Sequence, residues 1–146
     1  MKEVVIYTDG ACSVNPGKGG YAAILIYKGN EKIVSGGELL TTNNRMELAA
    51  VINGLAALKE KCEVKIYSDS AYVVNAVNNS WLNEWEKRGW RTLGNEEVKN
   101  IDLWKELTKL LNMHKVKFIK VKGHSDNEYN NRCDALARGE IIALGN

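Results

Sequence analysis

Ile6-Tyr7-Thr8-Asp9-Gly10, near the start of the chain, returns in its middle as Ile66-Tyr67-Ser68-Asp69. Each copy is a run of β-favouring residues that closes on an aspartate, and each reads as a buried strand. Two such strands lying side by side and parallel have backbones ~4.8 Å apart. Their aspartates then project from the same edge of the sheet, where open α/β sheets place ligands. Carboxylates that close resist joint ionisation unless a cation neutralises them. The repeat thus points to a sheet that carries a hard-metal site.

Outward from the repeat, strand and helix patterns alternate. Val4 to Thr8 reads as the first strand, and residues 20–28 and 31–39, divided by Lys28-Gly29-Asn30, as a hairpin. Leu48, Val51, Ile52, Leu55 and Leu58 recur at helical spacing from Asn44 onward. Val64–Ser68 is a further strand, followed by a short helix over roughly 70–78. Residues 80–97 read as an irregular, Trp-rich insertion. Ile101, Trp104, Leu107 and Leu111 mark another helix, Val116–Val121 a last strand, and roughly 128–143 a last helix. Strand, hairpin, then alternating helix and strand describes a mixed α/β sheet with helices on both faces. Asn15-Pro16-Gly17-Lys18-Gly19-Gly20 lacks the spacing and the Ser/Thr of a phosphate loop, and reads as a tight turn opening the hairpin.

At 146 residues, with 45% hydrophobic and 26% charged, the chain fits one globular domain spanning 1–146. No apolar run reaches membrane-span length, and Met1-Lys2-Glu3 leads straight into a strand, so a cytoplasmic protein is expected. Cys12, Cys62 and Cys133 are odd in number, widely spaced and form no C-x-x-C, so neither a disulfide framework nor a zinc ribbon is indicated. A formal charge of +2 does not announce a nucleic-acid binder, so local distribution must decide.

Two more acids join the aspartates: Glu47, opening the first helix, and Asp134, on the last. Each of the four also has a purely structural explanation. Asp9 can start a turn, Glu47 can complete a capping box with Asn44, Asp69 can cap the following helix, and Asp134 can pair with Arg132 or Arg138. Their conjunction favours Mg²⁺, which takes carboxylates, waters and phosphate oxygens, with Mn²⁺ as a substitute. Two such ions ~3.5–4 Å apart clamp the attacking and leaving oxygens of a phosphodiester. A glycosidase also pairs carboxylates but has no need of four. His124, in a polar loop past the last strand, suits a mobile acid/base; His114 has no such context and reads as a structural or surface residue.

Trp81 and Trp85 stand one helical turn apart and can simply pack on the core; with Trp90, Lys87, Arg88 and Arg91 they equally suit a nucleic-acid strand through stacking and phosphate contact. From 81 to 105, however, five Lys/Arg are balanced by five acids. Lys115, Lys117, Lys120 and Lys122 form a second cationic run toward His124, which equally reads as a solvated edge strand.

Tyr7-Thr8-Asp9-Gly10, Thr41-Thr42-Asn43-Asn44-Arg45-Met46-Glu47-Leu48, Tyr67-Ser68-Asp69-Ser70, Lys87-Arg88-Gly89-Trp90, Trp104, Val121-Lys122-Gly123-His124 and Asn131-Arg132-Cys133-Asp134 closely resemble the type 1 ribonuclease H family. The resemblance runs from Lys2 to about Arg138. It implies a ribonuclease H-like five-stranded mixed sheet with strands one to three antiparallel. It also implies an endonuclease that hydrolyses the RNA strand of RNA–DNA hybrids, leaving 5′-phosphate and 3′-hydroxyl ends. Asp9, Glu47, Asp69 and Asp134 match the family's metal-binding carboxylates, and His124 its proton-shuttling histidine. Asn15, Asn43 and Asn44 match positions at the hybrid's minor groove, where the 2′-hydroxyl distinguishes RNA, and Thr42 a position near the DNA phosphate. A protrusion at about 80–99, carrying Trp81, Trp85, Lys87, Arg88 and Trp90, matches the family's grip on the DNA strand. A monomer is expected.

Three features depart from the family pattern. Ala71 stands where glutamine is frequent, the protrusion is charge-balanced, and Ser125-Asp126-Asn127-Glu128 makes the His124 loop acidic. Hybrid binding is therefore expected to be weaker or more salt-sensitive than in a lysine-rich relative. A non-catalytic hybrid-binding module gains nothing from four clustered acids, and an integrase-like DNA nuclease is distinguished by its substrate. A sugar-kinase or actin-like ATPase needs a second domain and phosphate loops that are absent here.

Overall fold

The repeated strands pair as their sequences require. In the computed structural model, which describes residues 1–122 and 127–145, β1 (Lys2–Cys12) runs parallel to β4 (Cys62–Ser68), with Ile6 opposite Ile66 and Tyr7 opposite Tyr67. Parallel pairing stops at Tyr7, so Asp9 and Asp69 each lie two residues past the last matched pair. β2 (Gly17–Tyr27) and β3 (Asn30–Thr41) extend the sheet antiparallel on one side, and β5 (Lys115–Lys120) extends it parallel on the other. The order is β3-β2-β1-β4-β5. Lys28 and Gly29 both adopt positive φ, the handedness that matches the twist of a two-residue hairpin.

Strands run longer than the sequence patterns suggest. β1 continues through Asp9 to Cys12 because β2 keeps pairing with it, Asp9 opposite Ala22 and Cys12 opposite Gly19. Gly17 to Gly20 therefore belong to a strand, and the expected turn narrows to residues 13–16.

Helices cover both faces. α1 (Asn43–Ala56) lies on β1 and β2, and α4 (Ile101–Met113) packs on α1. Enclosed between sheet and helix, α1 is buried well beyond its leucine stripe, from Met46 to Ile52 without a break. On the opposite face, α5 (Glu128–Ala143) crosses β1, β2 and β3, so close that a Cβ on Gly20 would strike the Ala137 carbonyl. Ile6, Ile24, Leu48, Leu55, Ile66 and Trp104 are fully enclosed in the core.

α2 (Ala71–Asn78) follows β4. The next segment is not wholly irregular, as expected, but carries the short helix α3 (Trp81–Lys87). Leu82 and Val98 are buried and Trp85 stacks edge-on to Trp104 at 5.4 Å, so the arm is pinned to the core at several points. Beyond α3, Gly89, Trp90, Asn95 and Asn100 all take positive φ. No helix among the described residues is long and apolar enough to cross a membrane.

Candidate active site

Asp9, Glu47 and Asp69 converge from β1, α1 and the β4–α2 junction. One oxygen from each lies within 4.8 Å of the others. The structural explanations for these acids fall away one by one. Asp9 is in paired strand rather than a turn, although its Oδ1 accepts from the Gly10 N–H at 2.9 Å. The α1 cap is Thr42, whose Oγ1 accepts from Arg45 N, which leaves Glu47 one turn inside the helix and buried. Ser70, not Asp69, caps α2 by accepting from Val73 N.

Glycine at position 10 makes the convergence sterically feasible. A Cβ there would sit 2.5 Å from Glu47 N and from the Met46 carbonyl carbon. Only a bare backbone lets α1 approach closely enough for Glu47 to meet Asp9.

Burial and the charge of neighbouring carboxylates hold Asp9 and Glu47 toward their neutral forms. Asp9, 4% exposed, is pushed up to about 7, first by burial and then by the Asp69 charge. Glu47 is raised well above the usual carboxylate range by burial, with Asp9 and then Asp69 adding to it. Glu47 Oε2 is buried and has no hydrogen-bond partner among the described residues. An orphaned carboxylate oxygen, beside two more carboxylates and without a cysteine or histidine among the three, matches the all-oxygen preference of Mg²⁺ or Mn²⁺.

Asp134 stands apart from this trio. It lines the same open cleft, but α5 gives it an ion pair one turn along the helix, with Arg138 Nε at 3.1 Å. The sequence-level alternative of an Arg138 partner is therefore real, whereas Arg132 pairs instead with Glu31 at 2.9 Å. His124 lies outside the described residues.

The polar positions divide into two groups. Asn15 Oδ1 accepts from Asn43 N at 3.2 Å, tying the 13–16 loop to the start of α1 at the cleft's rim; Asn44 is exposed beside them. On the arm, Trp81 is 42% exposed with its ring 6.4 Å from that of half-buried Trp85. Lys87 and Arg88 are exposed, Arg88 being paired with Glu84 at 3.3 Å. Trp90 is half-buried beneath Lys105, whose Nζ lies 5.9 Å from the ring centre.

Sequence reading missed several cleft residues. Asn130 is 3% exposed, lines the cleft and leaves Oδ1 without a partner among the described residues; its sequence signal is standing one helical turn before Asp134. Cys12 and Ser13 line it as well, because β1 runs further than expected. Cys133 is buried behind the cleft: burial pushes its thiol up to about 12, and Sγ donates to the Tyr7 carbonyl. Of the two readings open for His114, structural or surface, the structural one holds: it is buried, and its Nδ1 accepts from Cys62 N at 3.1 Å.

Comparison with known proteins agrees with this architecture. The family model for RNase H matches residues 1–142. A ribonuclease H of Acetivibrio thermocellus is 65% identical over 141 residues, 97% of this chain and 96% of the relative. Another, from Caldicellulosiruptor saccharolyticus, is 63% identical over 141 residues, covering 97% of each. Among solved structures, LC9-RNase H1, a type 1 RNase H with the type 2 active-site motif, matches with a TM-score of 0.87 at 28% identity, over 97% of this chain and 73% of that one. LC11-RNase H1 in complex with RNA/DNA hybrid shares the fold, with a TM-score of 0.70 at 24% identity over 97% of this chain and 98% of that one.

Proposed function

The chain belongs to the ribonuclease H family, and we infer that it is an endonuclease hydrolysing the RNA strand of RNA–DNA hybrids to 5′-phosphate and 3′-hydroxyl ends. The observation that carries this reading is the meeting of Asp9, Glu47 and Asp69 within 4.8 Å, with Asp134 on the same cleft. A binding module would place that density of negative charge opposite phosphates at a loss.

In this reading Asp9, Glu47, Asp69 and Asp134 are the residues that would hold two divalent ions. When bound, Mg²⁺ (or Mn²⁺ in its place) neutralises the clustered carboxylates, lowers the pKa of water and balances charge on the phosphate. Arg138 holds Asp134 at the cleft's edge. His124 moves a proton at the reacting oxygens, a role suited to an imidazole near neutral pH. Asn15, Asn43 and Asn44 read the 2′-hydroxyls from the wide minor groove of the hybrid. The Thr42 hydroxyl accepts from Arg45 N and so keeps its own hydrogen for a DNA phosphate oxygen. Trp81, Trp85 and Trp90 offer stacking surface to the DNA strand, with Lys87 and Arg88 facing its phosphates. The enzyme acts as a cytoplasmic monomer.

The test is cleavage of end-labelled RNA–DNA hybrid, compared with duplex DNA and duplex RNA, in Mg²⁺ and in chelator. Metal-dependent cutting of the hybrid's RNA strand alone is expected. Cutting of duplex DNA at a comparable rate would replace this reading with that of a DNA nuclease, and binding without cutting with that of a hybrid-binding module.

A further inference from the structure

Arg45 stands two residues before Glu47 and extends to another helix. Its two terminal nitrogens clasp the Asp102 carboxylate on α4, at 3.0 Å to Oδ1 and 2.8 Å to Oδ2. The same guanidinium donates to Asn100 Oδ1 at 3.3 Å. Asn100 Nδ2 in turn donates to the Tyr72 hydroxyl at 2.9 Å, which also accepts from Trp104 Nε1 at 3.1 Å. Trp104 carries the ring of Trp85, and Trp85 that of Trp81. The bonds thus run from the helix of Glu47, through the segment just after Asp69, to the aromatic arm.

Stability alone is a poor explanation for this network. The Arg45 and Asp102 side chains are 30% and 62% exposed, and exposed ion pairs contribute little to folding. A bidentate guanidinium–carboxylate fork, by contrast, fixes two elements in mutual orientation. Asn100 points the same way. It is the N-cap of α4 at a φ of 61°, yet its side chain makes no cap hydrogen bond. Asparagine at that position ordinarily accepts from the helix's own first turn. Here both ends of the amide are given to Arg45 and Tyr72 instead.

We propose that Arg45 is a positioning residue which, with Asp102, Asn100 and Tyr72, sets the register of the aromatic arm over the acidic cleft, so that a hybrid gripped by the arm presents one phosphodiester to the carboxylates. This rests on the hybrid-cleaving reading given above. Geometry fixed remote from the chemistry decides which bond meets the reacting groups, so a strut between grip and cleft governs where a hybrid is cut without touching substrate.

The test uses a labelled hybrid whose otherwise DNA strand carries a short central RNA run, cut by the wild type, Asp102→Asn, Arg45→Lys (charge kept, fork lost) and the exchanged pair Arg45→Asp with Asp102→Arg. Wild type cuts one bond predominantly. Asp102→Asn and Arg45→Lys spread cutting to neighbouring bonds and raise KM about fivefold, with kcat at saturation within about twofold and melting temperature within a few degrees. The exchanged pair recovers much of the single-bond preference. Cleavage that stays on one bond with unchanged KM in both single variants overturns the inference, as does loss of kcat in step with melting temperature at constant KM. Should Asp102→Asn fold poorly, Arg45→Lys decides. Wild type failing to cut the hybrid refutes the functional reading itself, whereas cutting with an unmoved register refutes only the strut.

Discussion

Replacing Asp9 by asparagine should remove activity and, without divalent metal, make the protein more stable. The Asp9 carboxyl stands at about 7 in the fold against 3.8 ordinarily, because burial and Asp69 penalise its charge. A folded-state pKa above the unfolded value means that stability is fully present below about 3.8 and is lost as pH climbs through about 7. At ~1.4 kcal/mol per pH unit the gap amounts to about 4 kcal/mol. Glu47, raised by the same crowding, shares that penalty, so relief at Asp9 returns about 2–4 kcal/mol. Asparagine keeps an oxygen for the Gly10 N–H, so little is lost in exchange. Denaturant unfolding in chelator should show Asp9→Asn more stable than wild type by that amount at about pH 8, and equal to it near pH 4. Added Mg²⁺ should stabilise the wild type and not the variant, since only an ion bound to the fold shifts unfolding. Equal stability at pH 8, or the same gain at both pH values, would refute the claim that repulsion between buried carboxylates is stored in this site.

Gly10→Ala places a methyl 2.5 Å from the α1 backbone; unfolding measurements should show a loss of about 1–3 kcal/mol, and hybrid cleavage should fall ~100-fold as Glu47 is displaced. His114 is held below its ordinary 6.5 by burial. The unfolded chain therefore takes up its proton first, and stability should decline as pH falls below about 6.5; His114→Gln should flatten that part of the stability–pH curve. Trp85→Ala strips the ring stacked on Trp104 and should cost about 2–3 kcal/mol of stability. Trp81→Ala, on the exposed side, should leave the melting temperature nearly unchanged while weakening hybrid binding by about 1–3 kcal/mol, read by titration with RNA–DNA hybrid in an Asp9→Asn background that does not cleave it.

The fold's centre was legible because the Ile-Tyr-Thr-Asp repeat encodes its own pairing: parallel alignment of like residues leaves both aspartates at matched positions beyond the ladder. The leucine spacing of α1 and the Lys28-Gly29 turn were equally local signals. What escaped depends on contacts between distant residues. The Gly-rich stretch after Pro16 has low strand propensity, yet it pairs with β1 and β3 because glycine admits α5 against the sheet. α3 has no apolar stripe to betray it, since it rests on the core chiefly through Leu82 and Trp85. In the site, the acids themselves stood out by motif, but their capping alternatives could be dismissed only once Thr42 and Ser70 were seen to fill those roles. Asp134's pairing with Arg138 was foreseeable from the helical spacing; its place on the cleft's edge, outside the tight trio, was not. Arg45 reaching Asp102 across 57 residues has no local signature at all.

Anomalous diffraction from crystals grown with Mn²⁺ and an uncleaved hybrid tests the central claim most directly. The account predicts manganese peaks enclosed by Asp9, Glu47, Asp69 and Asp134, with a phosphate of the RNA strand against them. Peaks elsewhere on the protein, or an empty carboxylate cleft at a Mn²⁺ concentration that supports cleavage in solution, would contradict it.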